Sequence, residues 1–176
     1  MNNSRADIEK NYNAAIITLS DKGAAGLRKD ESGPAIKQML EKSGFCKVEE
    51  ELIMADEPEE LKTALIRMCD SCGYNLILTT GGTGLSPRDF TPEATLAVAD
   101  RNVPGISEYM RAKSCEITPR AMLSRGVSVI RGKSLIINLP GSPKAAVENL
   151  GFIMPALEHA LEIVSGSGGE CAAHGA

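Results

Sequence analysis

The sequence is poor in aromatic side chains: no Trp, three Tyr and three Phe, together 3% of 176 residues. A core must therefore be packed from Ile, Leu, Val, Ala and Met, which with the other apolar residues make up 43% of the chain. No apolar run approaches the roughly 20 residues a membrane-crossing helix needs. The opening Met1-Asn2-Asn3-Ser4-Arg5-Ala6-Asp7 is polar, with no signal-type apolar segment behind it, so a cytoplasmic location is expected. Excess positive charge is also missing. The net charge is -4 and no basic stripe is visible, which argues against nucleic acid as a partner. Cysteine numbers five at scattered positions, an odd count that suits reduced thiols. Cys69-x-x-Cys72 has no second such pair, and both His residues lie far away in sequence, so it reads as two ordinary thiols at a helix end.

What is present alternates regularly. Residues 1–12 read as a flexible leader. Asn13–Ser20 contains Ala-Ala-Ile-Ile-Thr-Leu, a buried strand, and Ser20-Asp21-Lys22-Gly23 ends it in turn chemistry. A polar, glycine-containing loop runs to Asp30. Helix signals follow from Ser32 to Ser43, with Ile36, Met39 and Leu40 on one face and Gly44 as the stop. Lys47–Ala55 reads as a second strand, and its Glu49-Glu50-Glu51 run suggests an edge. Asp56, with Glu59 three residues on, resembles a capping box for the next helix, whose apolar face carries Leu61, Leu65 and Met68.

Leu76-Ile77-Leu78 is a third strand. It leads into Gly81-Gly82-Thr83-Gly84 and then a helix signalled by Thr91 as N-cap, Pro92 and Glu93. Strand, glycine loop and helix N-terminus together present backbone N–H groups to phosphate. The loop lacks the Gly-Lys-Ser/Thr of a P-loop, and Pro87 stands where a dinucleotide fingerprint has its third glycine. Further helices are expected at Ser107–Lys113 and, briefly, Pro119–Leu123. Residues 127–138 read as a hairpin turning at Gly132-Lys133, with Leu135-Ile136-Ile137 as the last central strand. A rigid loop, Leu139-Pro140-Gly141-Ser142-Pro143, precedes one helix through Leu150. Gly151 and Pro155 are expected to interrupt it before a last helix to Val164. The tail, residues 166–176, reads as disordered.

The pattern predicts one α/β domain over residues 13–165. Its fold class is a three-layer αβα sandwich on a mostly parallel sheet with one antiparallel hairpin strand. Ligands of such sheets sit beyond the strand C-terminal ends, where the winding reverses. The loops after strand one (Ser20, Asp21), after strand three (Gly81 to Asp89) and after the last strand (Pro140, Gly141, Ser142) should converge there.

Thr79-Thr80-Gly81-Gly82-Thr83-Gly84, then Ser86-Pro87-Arg88-Asp89, then Thr91-Pro92-Glu93-Ala94-Thr95 resembles the signature of the molybdenum-cofactor biosynthesis domain. That family includes the molybdopterin adenylyltransferases MogA and MoaB and the gephyrin G domain. Ser20-Asp21, Asp56-Glu57, Leu123-Ser124-Arg125 and Asn138 to Pro143 match as well. The resemblance implies transfer of AMP from ATP to the terminal phosphate of molybdopterin with Mg²⁺, releasing pyrophosphate, by a homotrimer that serves a downstream metal-insertion protein. Some relatives are binding or scaffold modules instead.

By the same resemblance Asp56 and Asp89 are catalytic and hold the metal. Asp89 otherwise reads as a turn residue before Thr91, and Asp56 as a helix cap. Ser20, Asp21, Gly81, Gly82, Thr83, Gly84, Ser124, Pro140, Gly141 and Ser142 would bind nucleotide or pterin. Arg88, Arg125 and Lys144 are candidates for neutralising phosphate. His159 is expected far from the cleft.

Overall fold

The computed structural model describes residues 12–166. The expected leader and tail lie outside these apart from their inner edges: Tyr12 already opens the first strand, and Gly166 caps the last helix in a left-handed conformation.

Six strands form one sheet in the order β2-β1-β3-β6-β5-β4. They are β1 (Tyr12–Leu19), β2 (Cys46–Met54), β3 (Leu76–Thr80), β4 (Arg101–Asn102), β5 (Ser128–Arg131) and β6 (Ser134–Leu139). β1, β2, β3 and β6 run parallel, β5 returns antiparallel to β6, and β4 pairs antiparallel with β5. The sandwich with its hairpin strand is as expected, and β2 is indeed an edge. The two-residue β4 carries no sequence signal.

Among the described residues six α-helices flank the sheet: α1 (Asp21–Ala24), α2 (Ser32–Lys42), α3 (Pro58–Ile66), α4 (Thr91–Ala97), α5 (Pro104–Ile117) and α6 (Pro143–Ser165), with the expected short helix at Pro119–Leu123 as a 3₁₀ turn. Side chains alternate along a strand, so each strand feeds two cores. Ala14, Ile16, Leu76, Leu78, Leu135 and Ile137 pack on one face, against α2, α5 and α6. Ala15, Ile17, Ile77 and Ile136 pack on the other, with Leu61, Leu65 and Ala94 of α3 and α4. These strands are buried on both faces and read as unbroken apolar runs.

Four local expectations change. The turn after β1 is a single helical turn, α1. Helix α3 begins at Pro58, with Glu57 as a cap that makes no side-chain bond. Asp56 is therefore not a cap, and Glu59 pairs with Lys62 instead of closing a capping box. Thr91 is the first residue of α4 rather than its cap. Finally, Gly151 and Pro155 do not divide the last helix, which is continuous over 23 residues. Its stripe of Ala146, Leu150, Ile153, Leu157 and Leu161 is buried throughout. Burying four large aliphatic side chains contributes roughly 6–12 kcal/mol, against about 3 kcal/mol for a proline inside a helix.

Candidate active site

The chain leaves β1 through α2 to β2 on one side, then crosses through α3 to β3 on the other. The winding reverses between β1 and β3, and the loops at their C-terminal ends part there. A cleft of about 400 Å³ opens at that point. Its walls come from the ends of four strands: Ser20 and Asp21 after β1, Asp56 after β2, Gly81, Gly82 and Asp89 after β3, and Gly141 and Ser142 after β6. The three predicted loops converge, and the loop after β2 joins them.

Glycine is required where these loops meet. Gly81 has φ +104°, and a Cβ there would run into the Leu19 carbonyl oxygen; Gly82 has φ +62° and lies bare against the Thr91 hydroxyl. A Cβ on Gly141 would stand 3.1 Å from the Gly81 α-carbon, so the β3 and β6 loops touch glycine on glycine. The Thr80 hydroxyl donates to the Pro140 carbonyl at 2.7 Å and ties the same two loops.

Asp56, freed from capping, faces Asp21. The Asp21 amide donates to the Asp56 carboxylate at 3.3 Å, and the Asp56 amide donates to the Asp21 carboxylate at 3.1 Å. Burial raises the Asp56 pKa, and the charges of Asp21 and Asp89 push it the same way. Asp21 moves in the opposite direction, lowered first by Arg88 and then by the Asp56 amide. The Asp89 carboxylate accepts from the Ser86 amide at 2.7 Å and faces the same cleft as Asp56.

The three bases picked from the sequence are engaged elsewhere. Arg88 donates to Asp21 at 2.8 Å and to Glu57 at 3.0 Å, joining the loops after β1, β2 and β3. Arg125 binds the Gly84 carbonyl at 2.7 Å, and also the Asp89 carbonyl and the Glu93 carboxylate. It braces the glycine loop from behind. Lys144 pairs with Glu148 and does not line the cleft.

Thr83, Gly84, Ser124 and Pro140 line a second cleft of about 310 Å³ on the far side of the glycine loop. Its wall is mainly apolar, from Ile117, Ala121 and Leu123, with Arg120 beside them. The loop is thus a partition: Gly81 and Gly82 face one cleft, Thr83 and Gly84 the other. Ser20 and Ser142 line the first cleft, and their hydroxyl oxygens also cap α1 and α6, accepting from the amides of Gly23 and Ala145.

Sequence reasoning missed Arg111, Ser114 and Arg120 of the second cleft, and Lys22, Arg28 and Lys29 of the first. Arg111 and Ser114 stand three apart on α5, a spacing that shares a helix face and was open to reading. The polar character of the segment between β1 and α2, at a strand C-terminal end, was the other available signal. His159 is exposed and lines neither cleft. The Cys69 thiol, pushed to about 11 by burial, is inert near neutral pH.

The fold is that of an open-sheet α/β protein whose first cleft lies at the switch point of the sheet. Residues 15–159 match the family described as the probable molybdopterin binding domain, and the chain belongs to that family. It is 41% identical over 153 residues to a molybdopterin adenylyltransferase of Helicobacter pylori, spanning 86% of this chain and 87% of the relative. The molybdopterin biosynthesis enzyme MoaB of Thermus thermophilus superposes with a TM-score of 0.84 at 48% identity, covering 88% of this chain and 97% of that one. The tungsten cofactor synthesizing protein MoaB of Pyrococcus furiosus gives a TM-score of 0.80 at 34% identity, over 89% and 98%.

Proposed function

We propose that this protein is a molybdopterin adenylyltransferase, joining the AMP moiety of ATP to the phosphate of molybdopterin and releasing pyrophosphate. The curated relatives of that name support the reaction class. One observation carries the residue assignment: Asp56, Asp89 and the bare backbone of Gly81 and Gly82 line a single cleft, and a second cleft opens across the same loop. Two neighbouring clefts suit two substrates that must meet.

The nucleophile is a phosphate oxygen already ionised at neutral pH, so no general base is needed. An oxygen of the pterin phosphate bonds to the α-phosphorus of ATP, the bond to the bridging α–β oxygen breaks, and its electrons leave on pyrophosphate. The difficulty is bringing two anions together, so positioning and electrostatics dominate. Amides of the glycine loop hold phosphate oxygens, and Arg125 keeps that loop in place.

Among the described residues no group of three or more His, Cys, Asp or Glu forms a ready metal cage. Mg²⁺ needs fewer: it takes one or two carboxylates and completes its shell with water and substrate phosphate. The oxygen donors of Asp56 and Asp89 fit that requirement. A Mg²⁺ held by these two carboxylates would supply positive charge against the reacting phosphates.

The expected assembly is a homotrimer, and the expected recipient of the product is a second protein that inserts molybdate or tungstate. The setting is the cytoplasm, where ATP and reduced thiols are available. No helix among the described residues is long and apolar enough to cross a membrane.

The deciding experiment adds molybdopterin, ATP and Mg²⁺ to the purified protein and measures pyrophosphate. The wild type should release it only when all three are present. Asp89→Asn should bind molybdopterin normally and lose about a hundredfold or more in kcat. Pterin binding without pyrophosphate release from the wild type would leave a binding or scaffold module.

A further inference from the structure

Three cations line the first cleft, and none was anticipated as part of it: Lys22 on α1, and Arg28 and Lys29 on the segment leading to α2. Elsewhere in the fold most basic side chains are paired, among them Arg67, Arg88, Arg125 and Arg131. The side chains of Lys22, Arg28 and Lys29 have no partner among the described residues.

The segment that carries them is held at both ends. At its start the Ser20 hydroxyl oxygen accepts from the Gly23 amide at 3.1 Å, while the amides of Leu27 and Arg28 fold back onto the Lys22 carbonyl at 2.8 and 3.2 Å. At its end Asp30 accepts from the Thr18 hydroxyl at 2.7 Å and from the Ser32 amide at 2.9 Å. The result is a strap along the cleft wall whose three cations have no partner among the described residues.

Of the other charged groups lining the cleft, all but the Glu31 carboxylate, which makes no cap bond to α2, are engaged among the described residues. Asp21 is bonded by Arg88, and Asp30 by the start of α2. Asp56 and Asp89 are assigned to a cation. A triphosphate in the same cleft still carries negative charge at its far end, and that charge grows there as pyrophosphate departs. Free Arg and Lys side chains are the groups that meet such charge.

We propose that the strap from Lys22 to Lys29 binds the β- and γ-phosphates of the nucleotide and stabilises the leaving pyrophosphate, and so selects a triphosphate over shorter nucleotides. This rests on the adenylyl-transfer reading of the cleft. Arg28 and Lys29 hold the departing group, and the glycine loop holds the α-phosphate that stays.

The test compares the wild type with the double variant Arg28→Ala/Lys29→Ala in the full chain. Calorimetry is run with magnesium pyrophosphate, with AMP and with magnesium ATP. The variant should lose about tenfold or more in affinity for pyrophosphate and ATP, while AMP binding changes by less than about twofold. The swap Arg28→Lys/Lys29→Arg should restore most of the pyrophosphate affinity. Lys133→Ala, on the distant hairpin turn, should change none of the three. Equal pyrophosphate binding by wild type and double variant would overturn the proposal. So would no pyrophosphate binding by the wild type, or an equal loss for AMP, which would mean that the strap only shapes the cleft. Failure of the transferase reading has a different signature: no molybdopterin-dependent pyrophosphate release by the wild type.

Discussion

Asp56 pays for its position in stability. The folded protein holds the Asp56 proton to higher pH than the unfolded chain does, because burial disfavours the charged form and Asp21 and Asp89 add repulsion. Its contribution to folding is therefore full below the ordinary carboxylate value of 3.8 and is lost as pH rises through the raised value. At neutral pH the carboxylate works against folding. Asp56→Asn keeps an acceptor for the Asp21 amide and removes the charge. Its melting temperature at pH 7 should equal or exceed that of the wild type, with the difference vanishing near pH 3–4, while turnover is lost. A melting temperature well below wild type at pH 7 would make Asp56 a structural residue. Asn138 is the opposite case. It is buried, donates to the Thr79 and Thr95 hydroxyls at 2.9 and 3.0 Å, and accepts from the Val127 amide at 3.2 Å. Asn138→Ala leaves all three groups unpaired and should cost about 2–3 kcal/mol in chemical denaturation. Neither role is visible from residue type: an Asp three residues before Glu59 reads as a cap, and only the fold shows Asp56 turned toward Asp21.

At the scale of elements, the glycine loop separates backbone need from site need. Gly81 and Gly82 have positive φ and press on Leu19 and Thr91. Gly84 does not have positive φ; a Cβ there would lie 2.9 Å from the Asp89 carboxylate. Gly84→Ala should therefore displace Asp89 from the Ser86 amide and lower kcat by about tenfold or more, with only a small shift in melting temperature. Gly81→Ala, set against backbone, should give little soluble protein. The Gly-Gly-x-Gly string and the helix signal after it were legible because turn chemistry is local. The long α6 was not: Gly151 and Pro155 are local breakers, and a continuous buried stripe overrode them.

For the whole molecule, the first cleft lies where four strand ends meet, and the acids there belong to separate loops. No closed metal cage exists among the described residues, so Mg²⁺ and nucleotide should bind as a pair. Mg²⁺ alone should leave the melting temperature unchanged, ATP alone should raise it little, and the two together should raise it clearly, by linkage. An equal rise with Mg²⁺ alone would point to a preformed metal site. The alternation of the main strands and helices, the two-faced sheet, the edge strand β2 and three of the four converging loops were determined by the sequence itself, because hydrophobic period and turn residues act over a few positions; β4, α1 and the unbroken α6 were not. The tertiary structure alone decided which charges are free. Arg88 finds Asp21 across 67 positions and Arg125 finds Glu93 across 32, while Arg28 and Lys29 find no partner among the described residues. An ion pair forms between side chains that the fold brings within reach, and that distance is not written in their spacing along the chain.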